Sequence, residues 1–452
     1  MIVIDCLRAD HVSHYGYGRH TTPNIDNLSE NSLFFENAYT QGTFTLSSAA
    51  SILTGLYPET HNVLTFHDRL PENFPTLPLL LQSLGYNTSC FPGMGFFSPP
   101  WGLDDVGFQR VEIMDVKEGG ETEKRTCDRI SASFARYLDD IREPFFSLIW
   151  FFDLHASFGG VQIPGGERYP PDDSGNAKVD RYDSALVHVD QNVGAILARL
   201  KERGLFEETM IIVTSDHGDL FDEHRLLEGS RVGGLLSNLP GLKGKIREKE
   251  YLGHLGVIPY DEVIRVPLVI KFQGGEPRGV HHGNVELIDL FPTIMERVDE
   301  SGREHRAQGR VLTSAERDPE GGRVVYCSTK PFDWNALMTC ARNDEYKYVR
   351  VYPPKLTLSS IWKNPRKFVV DRILAGDRLY RCSVDEENDL GAEYSEQRSR
   401  LKSLLDGWRK ENARFREEEL AVLGVKTAEK SEYTEEEERV IQQRLRALGY
   451  LE

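Results

Sequence analysis

The stretch MIIVTSDHGD at residues 210–219 decides the fold class of this chain. Its four leading apolar residues predict a buried strand, which ends in the pair Asp216 and His217. Before it, residues 182–203 carry apolar side chains at helical spacing, and Gly204 closes that pattern. A helix followed by a strand with polar residues at its end is typical of an α/β sheet, whose functional site collects at the carboxyl ends of the strands.

Three more segments predict buried strands of the same sheet. Residues 1–4 and 265–272 are short apolar runs, and FFSLIWFFDLH at residues 145–155 predicts a longer strand that ends in Asp153 and His155. Strands of this kind are buried on both faces, so a sheet with helices on either side is expected.

Two short helices are predicted near the N-terminus. PNIDNLSENSLFF at residues 23–35 has apolar side chains at helical spacing up to Leu33, and SSAASIL at residues 47–53 starts a helix just after Thr45. The first of these helices is expected to pack on the sheet.

The pattern changes after about residue 322. RVVYCST and YKYVRVY predict strands of a smaller, antiparallel domain, and the charged stretch 394–452 predicts helices. One helix carries a single apolar stripe, made of Leu401, Leu404, Leu405 and Trp408. We therefore expect a large α/β domain over residues 1–322, with a mixed, mostly parallel sheet sandwiched by helices, and a smaller C-terminal α+β domain over residues 323–452.

Composition excludes several classes of partner. The 452 residues hold 54 Lys plus Arg against 71 Asp plus Glu, a net charge of −17, which argues against nucleic acid and against a polybasic membrane anchor. We find no run of 18 apolar residues and no secretory signal. Six scattered cysteines without a CxxC pair favour reduced thiols, and so a cytoplasmic protein.

Acids and histidines at strand ends are the candidates for chemistry: Asp5, Asp153, His155, Asp216 and His217. A single Asp in such a place often caps the next helix. The adjacent Asp216 and His217 can instead bend toward one ion, and a carboxylate with an imidazole suits Zn, Mn or Fe better than Mg. A metal site and a set of structural caps both stay open on spacing alone.

The position of Thr45 before a predicted helix allows two interpretations, a nucleophile or a helix cap. At the start of a helix its hydroxyl lies where free N–H groups favour an anion, and a neighbouring metal ion would turn it into a nucleophile. On this segment alone, a threonine that caps the helix is the commoner case.

Five quoted blocks together resemble the sulfatase family, within the alkaline phosphatase superfamily. DCLRADHVSHYGYGRHTTPNIDNLSENSLFFENAY is similar to its N-terminal signature, TLSSAASILTGLYPETHNV to its nucleophile segment, and RYDSALVHVDQNVGAILARLKERGLFEETMIIVTSDHGD to its central helix and metal-binding strand. GHLGVIPYDEVIRVPLVIKF and LIDLFPTI resemble later blocks, so the resemblance covers nearly the whole chain.

The resemblance implies a set of four metal-site residues: Asp5, Thr45, Asp216 and His217. Thr45 takes the nucleophile position, and His155 matches a histidine that faces the charged group of the substrate. His254 matches another active-site histidine, which contacts substrate or supports a second metal ion. His224 fits a supporting position. A hydrogen-bonded structural role is expected for three further histidines: His11, His14 and His61.

Three departures from the family pattern bear on the chemistry. The residues after Thr45 lack the Pro and Arg of the C-x-P-x-R segment that is converted to formylglycine, so that modification is not expected here. The usual Asp-Asp pair is Asp5-Cys6, which removes a hard oxygen ligand and disfavours calcium. The Lys-x-His segment near the sulfate has no counterpart in CFPGMGFFSPPWG. In having a threonine at the nucleophile position, this chain resembles the phosphodiesterases and related enzymes of the superfamily.

The expected function is therefore a metal-dependent hydrolase of sulfate esters or related phosphodiesters and phosphonates, acting through a covalent intermediate on Thr45. The cofactor is a divalent ion, Zn or Mn before Ca, with one ion favoured over two; the partner is a small anionic ester. Substrate choice is assigned to residues 159–178 and to an insertion at 225–250. Two alternatives remain: a phospho- or sulfo-group transferase that uses Thr45, and an inactive member that serves as a binding module.

Overall fold

The computed structural model describes residues 1–71, 74–103, 106–114, 126–157, 163, 166, 168–170, 173–221, 223–224, 259–299, 301, 305–313, 322–330, 336–353, 375–382, 386, 389–424 and 434–448. In these ranges the chain forms an eight-stranded sheet in the order β4-β3-β5-β1-β6-β7-β2-β8. Its strands are β1 (Ile2–Ile4), β2 (Leu33–Tyr39), β3 (Asn87–Pro92), β4 (Arg110–Val111), β5 (Phe145–Phe151), β6 (Ile211–Thr214), β7 (Arg265–Lys271) and β8 (Gly279–Glu286).

The centre of this sheet is parallel. Strand β1 lies between β5 and β6, with Ile2 opposite Ile149 on one side and opposite Val213 on the other. Only β7 runs antiparallel to its neighbours, β6 and β2. The predicted mixed, mostly parallel sheet is thus confirmed, and the carboxyl ends of β1, β5 and β6 meet at one edge.

Helices cover both faces of the sheet. The helices are α1 (Pro23–Glu30), α2 (Thr45–Thr54), α3 (Pro58–His61), α4 (Leu77–Ser83), α5 (Cys127–Tyr137), α6 (Asp153–Ser157), α7 (Ala177–Glu202), α8 (Asp261–Ile264), α9 (Leu290–Val298), α10 (Ser395–Val422) and α11 (Glu435–Leu448). Because side chains alternate along a strand, Val3 packs with α2, α4 and α9, whereas Ile2 and Ile4 pack with α1, α5 and α7. In the described ranges, none of these helices has the length and apolar character needed to cross a membrane.

A second, smaller sheet follows in the chain. Its four antiparallel strands, in the order β12-β11-β10-β9, are β9 (Val325–Thr329), β10 (Leu337–Arg342), β11 (Tyr346–Tyr352) and β12 (Gly376–Arg381). Helix α10 packs on this sheet through Leu401, Leu405 and Trp408. Leu404, predicted in the same stripe, is 38% exposed instead. The predicted domain boundary near residue 322 falls between β8 and β9 and stays a prediction.

Two predicted elements end earlier than expected. Helix α1 stops at Glu30, and Leu33 begins β2, where the apolar period changes from helical to alternating. Strand β5 stops at Phe151, so Asp153 and His155 lie on the short helix α6 rather than on the strand. In both places, tertiary packing of a continuous apolar run decides where one element stops and the next begins.

Candidate active site

The first two site segments are the turns after β1 and β6, which lie side by side at the carboxyl edge of the large sheet. Ser215 joins them: its Oγ donates to the Ile4 carbonyl at 2.7 Å and accepts from the Leu7 amide at 2.9 Å. As a result Asp5 and Asp216 face each other, both fully buried.

The next residues complete this junction. His217 is 1% exposed and is followed by Gly218, where a Cβ atom would lie 1.9 Å from the carbonyl oxygen of Glu262. Only glycine therefore fits at this point. Across the junction, the hydroxyl of Tyr182 on α7 donates to the Cys6 carbonyl at 2.8 Å and accepts from the Arg8 amide at 3.0 Å, which fixes the turn after β1.

Helix α2 brings Thr45 to the same place. Thr45 is the first residue of the helix, and its hydroxyl donates to Oδ2 of Asp5 at 3.0 Å. The residue before the helix is Phe44, so Thr45 is not the capping residue that its position in the sequence first favoured. One turn later, the Ser48 hydroxyl donates to the Asp216 carbonyl at 2.7 Å and anchors the helix to the second strand end.

The electrostatics of the site call for a cation. Burial, and after it the negative charge of Asp216, raise the pKa of Asp5 well above its ordinary value. Among the described residues, Asp216 Oδ2 and His217 Nε2 have no hydrogen-bond partner although both are buried, and these two atoms lie 3.4 Å apart. His217 Nδ1 lies 2.7 Å from the Gly218 carbonyl, which assigns the proton to Nδ1 and leaves the lone pair on Nε2.

These residues fit a divalent metal ion. Carboxylates and a neutral imidazole whose other nitrogen is held by a carbonyl are a common donor set for transition metals. Of the predicted ligands, the structure brings together all four: Asp5, Thr45, Asp216 and His217. The ion would also compensate two buried carboxylates, which otherwise repel each other.

His155 lies on the short helix α6, which directly follows the neighbouring strand β5. It is 4% exposed, and its ring stacks on Phe152 with 4.4 Å between ring centroids. Asp153, beside it, accepts from the amides of Thr126 and Cys127 at 3.0 Å and so stabilises the start of α5. Both oxygens of Asp153 take part in this cap.

The remaining predicted histidines fall into two groups. His254 and the insertion at 225–250 lie outside the described residues, as do nine of the twenty residues of the segment 159–178. His224 lies 3.1 Å from Glu262 through Nε2 and stacks on Tyr260. His11 is buried against Asp183, with 2.7 Å between Nδ1 and Oδ1.

His61 and His14 have no visible share in the chemistry of the site. His61 Nε2 lies 3.0 Å from Ser51 Oγ, and its Nδ1 accepts from the Val63 amide at 3.1 Å. Burial lowers the pKa of His61 to about 3, with a smaller contribution from Arg416. His14 is exposed and packs edge-on against Phe34. The structural roles expected for His11 and His61 agree with these contacts.

Sequence reasoning missed four residues that build the site: Cys6, Ser48, Tyr182 and Ser215. Three of them lie close in sequence to a predicted site residue, and the fourth does not. Cys6 and Ser215 adjoin the predicted ligands Asp5 and Asp216, and Ser48 lies one helical turn after Thr45. Tyr182, by contrast, is remote in sequence, and only the packing of α7 brings it to the turn after β1.

The mostly parallel α/β sheet, with Thr45, two acids and a histidine gathered at the carboxyl ends of its strands, has an alkaline-phosphatase-like fold. The sulfatase family profile matches residues 1–300. This chain therefore belongs to the sulfatase family, within the alkaline phosphatase superfamily, and it is a sulfuric- or phosphoric-ester hydrolase.

Individual relatives agree with this assignment. The arylsulfatase of Clostridium perfringens is 23% identical, and the match covers 66% of this chain and 73% of that protein. A multifunctional alkaline phosphatase superfamily protein, PehA of Trinickia caryophylli, is 25% identical, and the match covers 85% of this chain and 92% of that protein. The solved structure of a 2-O GAG sulfatase, 19% identical, has the same fold with a TM-score of 0.63 over 91% of each chain.

Proposed function

We propose that this protein hydrolyses sulfate esters or related phosphodiesters and phosphonates, with a divalent metal ion as cofactor and Thr45 as the covalent nucleophile. One observation carries the proposal. The Thr45 hydroxyl, at the start of α2, donates to Asp5 beside the unpartnered ligand atoms of Asp216 and His217. The proposed nucleophile, its proton acceptor and the proposed metal ligands are thus neighbouring buried side chains.

Asp5, Thr45, Asp216 and His217 would hold the ion. When bound, a divalent cation lowers the pKa of a coordinated hydroxyl and stabilises negative charge on a sulfuryl or phosphoryl oxygen. Zinc or manganese suits this donor set better than calcium, because an imidazole is present and Cys6 stands where a second carboxylate is usual.

The chain's own residues account for the rest of the chemistry. Asp5 Oδ2 accepts a hydrogen bond from the Thr45 hydroxyl. It is therefore the group that takes up this proton as Thr45 Oγ1 attacks sulfur or phosphorus. The new bond forms as the bond to the ester oxygen breaks on the opposite side, and the alcohol leaves with a proton. Water then cleaves the Thr45 ester and restores the hydroxyl. His155, with His254 by resemblance, is assigned to the oxygens that gain charge.

The charge of the site favours a singly charged substrate. Thr45 bonds to Asp5, which is itself close to the charge of Asp216. A dianionic phosphate monoester would need more positive partners beside these acids than a sulfate ester or a phosphodiester. The N-terminus of α2 supplies the partial positive charge that one anionic group needs.

The test is a substrate panel. Purified protein, stripped of metal and reloaded with Zn, Mn, Ca or Mg, is assayed on para-nitrophenyl sulfate, para-nitrophenyl phosphate, bis-para-nitrophenyl phosphate and a para-nitrophenyl phosphonate ester. We expect turnover of the sulfate or of the diester and phosphonate, above that of the monoester, and an increase in intact mass from a group trapped on Thr45. No turnover of any ester with any metal would contradict the proposal. Product formed on added glycerol instead of water would point to the transferase.

We also propose that the protein works in a reducing compartment, the cytoplasm. All six cysteines are buried and free, the state expected of structural thiols there. Cell fractionation with thiol labelling under denaturing conditions tests this: six reactive thiols in the cytoplasmic fraction are expected, and a disulfide in the native protein would contradict it.

A further inference from the structure

The thiol of Cys6 lies inside the candidate metal site. Its Sγ donates to Asp5 Oδ1 at 3.0 Å and lies 4.0 Å from the His217 ring at Nδ1, the nitrogen that bonds Gly218 rather than the one that carries the free lone pair. One ligand atom each from Asp5, Cys6 and His217 lie within 4.8 Å of one another, a spacing that one metal ion can span. All three residues are at most 1% exposed.

Unpartnered ligand atoms adjoin this grouping. In the part of the chain that the structure describes, Asp216 Oδ2 and His217 Nε2 are buried without a hydrogen-bond partner and face each other at 3.4 Å. The other oxygen of Asp216 is engaged, because Oδ1 accepts from the Cys6 amide at 3.3 Å. Two lone-pair-bearing atoms at this distance repel unless a proton or a cation lies between them.

The backbone at Cys6 is arranged to put its side chain there. Cys6 has a φ of 60°, in the left-handed region, which costs a residue other than glycine about 1–2 kcal/mol. Consecutive side chains on an extended strand point to opposite faces, whereas this turn lets Asp5 and Cys6 approach within 3.0 Å. The hydroxyl of Tyr182, which bonds the Cys6 carbonyl, holds the turn in place.

In the two other groupings of acids, cysteine and histidine among the described residues, a donor or a cation already contacts the acids. Around Cys127 and Asp128, the amide of Asn192 donates to both side chains. Around Asp261 and Glu386, the cation of Lys347 already compensates the acids. Glu386 Oε1 is also buried without a hydrogen-bond partner, but Lys347 lies against the same carboxylate. The Cys6 grouping differs, because His217 Nε2 is buried without a hydrogen-bond partner among the described residues and no described Lys or Arg pairs with the acids beside it.

We propose that Cys6 Sγ is itself a ligand of the metal ion and that it makes the site selective for zinc or another thiophilic ion over calcium. This rests on the metal site of the proposed function and adds a ligand to it. On binding, the sulfur–metal bond replaces the S–H bond, and the thiol proton is released to solvent. Thiolate, imidazole and carboxylate donors together suit zinc and cobalt, whereas calcium requires oxygen ligands.

Cobalt substitution tests the proposal without a mutation. Metal-free protein is titrated with Co(II), and we expect about one equivalent to produce a near-ultraviolet band from sulfur-to-cobalt charge transfer. Binding of one equivalent without this band would overturn the ligand role of Cys6 while leaving the metal site intact. Failure to bind any ion would overturn the metal site, and the proposed function with it.

Matched variants sharpen the test. Cys6→Ser should abolish the band and weaken Zn affinity by about 100-fold or more, beyond what loss of a supporting contact usually costs. Cys90→Ser is the control, because Cys90 is equally buried but lies on β3 in the apolar core. A Cys6→Ser protein that keeps the band and its Zn affinity would contradict the proposal.

A second variant covers the case in which Cys6→Ser does not fold. Cys6→Asp restores a hard ligand, so the ratio of Zn to Ca affinity, measured by competition with a chelator, should fall by about 10-fold or more. An unchanged ratio would count against Cys6. Thr45→Ala separates the two proposals: it should keep the cobalt band while losing turnover.

Discussion

Two clusters of buried acids in this molecule differ in the direction in which the pKa of a central carboxyl group is shifted. At the edge of the large sheet, burial and the charge of Asp216 raise the pKa of Asp5. Near the small sheet, burial would raise the pKa of Asp261 too, but Lys347 and Arg342 outweigh it and hold that pKa well below its ordinary value. Lys347 Nζ lies 3.0 Å from Asp261 and 2.5 Å from Glu386.

The difference separates a structural cluster from a functional one. Lys347 is fully buried, and its charge is matched by acids of the same chain, so that cluster is complete on folding. The acids at the sheet edge lack such a partner among the described residues, and their destabilising repulsion makes sense if a ligand supplies the positive charge. Buried acids that are costly in the free protein are thus the ones that mark the candidate site.

The largest effect is expected at Thr45, which lies against the uncompensated acids. Thr45→Ala removes the proposed nucleophile and should lower kcat by about 10,000-fold or more. Steady-state assays on the preferred ester measure this, with the melting temperature as a check on folding. Thr45→Ser, which keeps the hydroxyl, is the control and should retain much of the activity. Undiminished turnover by Thr45→Ala would end the nucleophile assignment.

A large change in stability is expected in the compensated cluster. Lys347→Met leaves Glu386 buried without its cation and should lower the free energy of unfolding by about 3–5 kcal/mol. Urea unfolding measures it. The control is Lys402→Met, which removes the exposed pair with Asp406 and should cost about 0.5 kcal/mol or less. Equal effects of the two variants would mean that the buried cluster is not structural.

A gain in stability, rather than the loss expected for Lys347→Met, is expected when an acid at the carboxyl edge of the large sheet is removed. Asp5→Asn removes one of two repelling carboxylates, so the metal-free variant should be more stable than the unmodified protein by about 1 kcal/mol or more. Added Zn should stabilise the unmodified protein by about 2.7 kcal/mol at 100 times its Kd, and Asp5→Asn much less. Thermal unfolding with chelator and with Zn compares them. A less stable metal-free Asp5→Asn would contradict the idea of uncompensated charge.

The smallest effect concerns pH. Asp5 keeps its proton longer in the folded than in the unfolded state, so its contribution to stability is full below about pH 4 and is lost as pH rises through its raised folded pKa. Asp261 has the reverse sign: its contribution is present above about pH 4 and is lost as pH falls through its lowered folded pKa.

Urea unfolding of metal-free protein from pH 3 to neutrality, roughly spanning the ordinary carboxyl range, separates the two acids. Relative to the unmodified protein, Asp5→Asn should remove a decline above about pH 4, and Asp261→Asn should remove a decline below it. Identical profiles for the two variants would show that the acids do not differ in charge compensation.

Much of the site could be foreseen because it lies next to short, strongly apolar strands. Asp5, Asp216 and His217 follow such strands directly, and parallel strands bring their carboxyl ends to one edge. Asp153 had the same signal but serves the start of α5. A strand-end acid with a metal role cannot be told from a helix cap by spacing, since both depend on which helix packs nearby.

The amino-acid sequence by itself determined four strands of the large sheet (β1, β5, β6 and β7), the family and the residue types at the site, because these follow from local apolar runs and from motifs of adjacent residues. Only the tertiary structure decided that the Thr45 hydroxyl bonds to Asp5 rather than capping its own helix. It also decided that Cys6 turns its thiol toward His217 and that Lys347 compensates Asp261. Those outcomes depend on distances between segments remote in sequence, and charge compensation in a buried place is set by such distances.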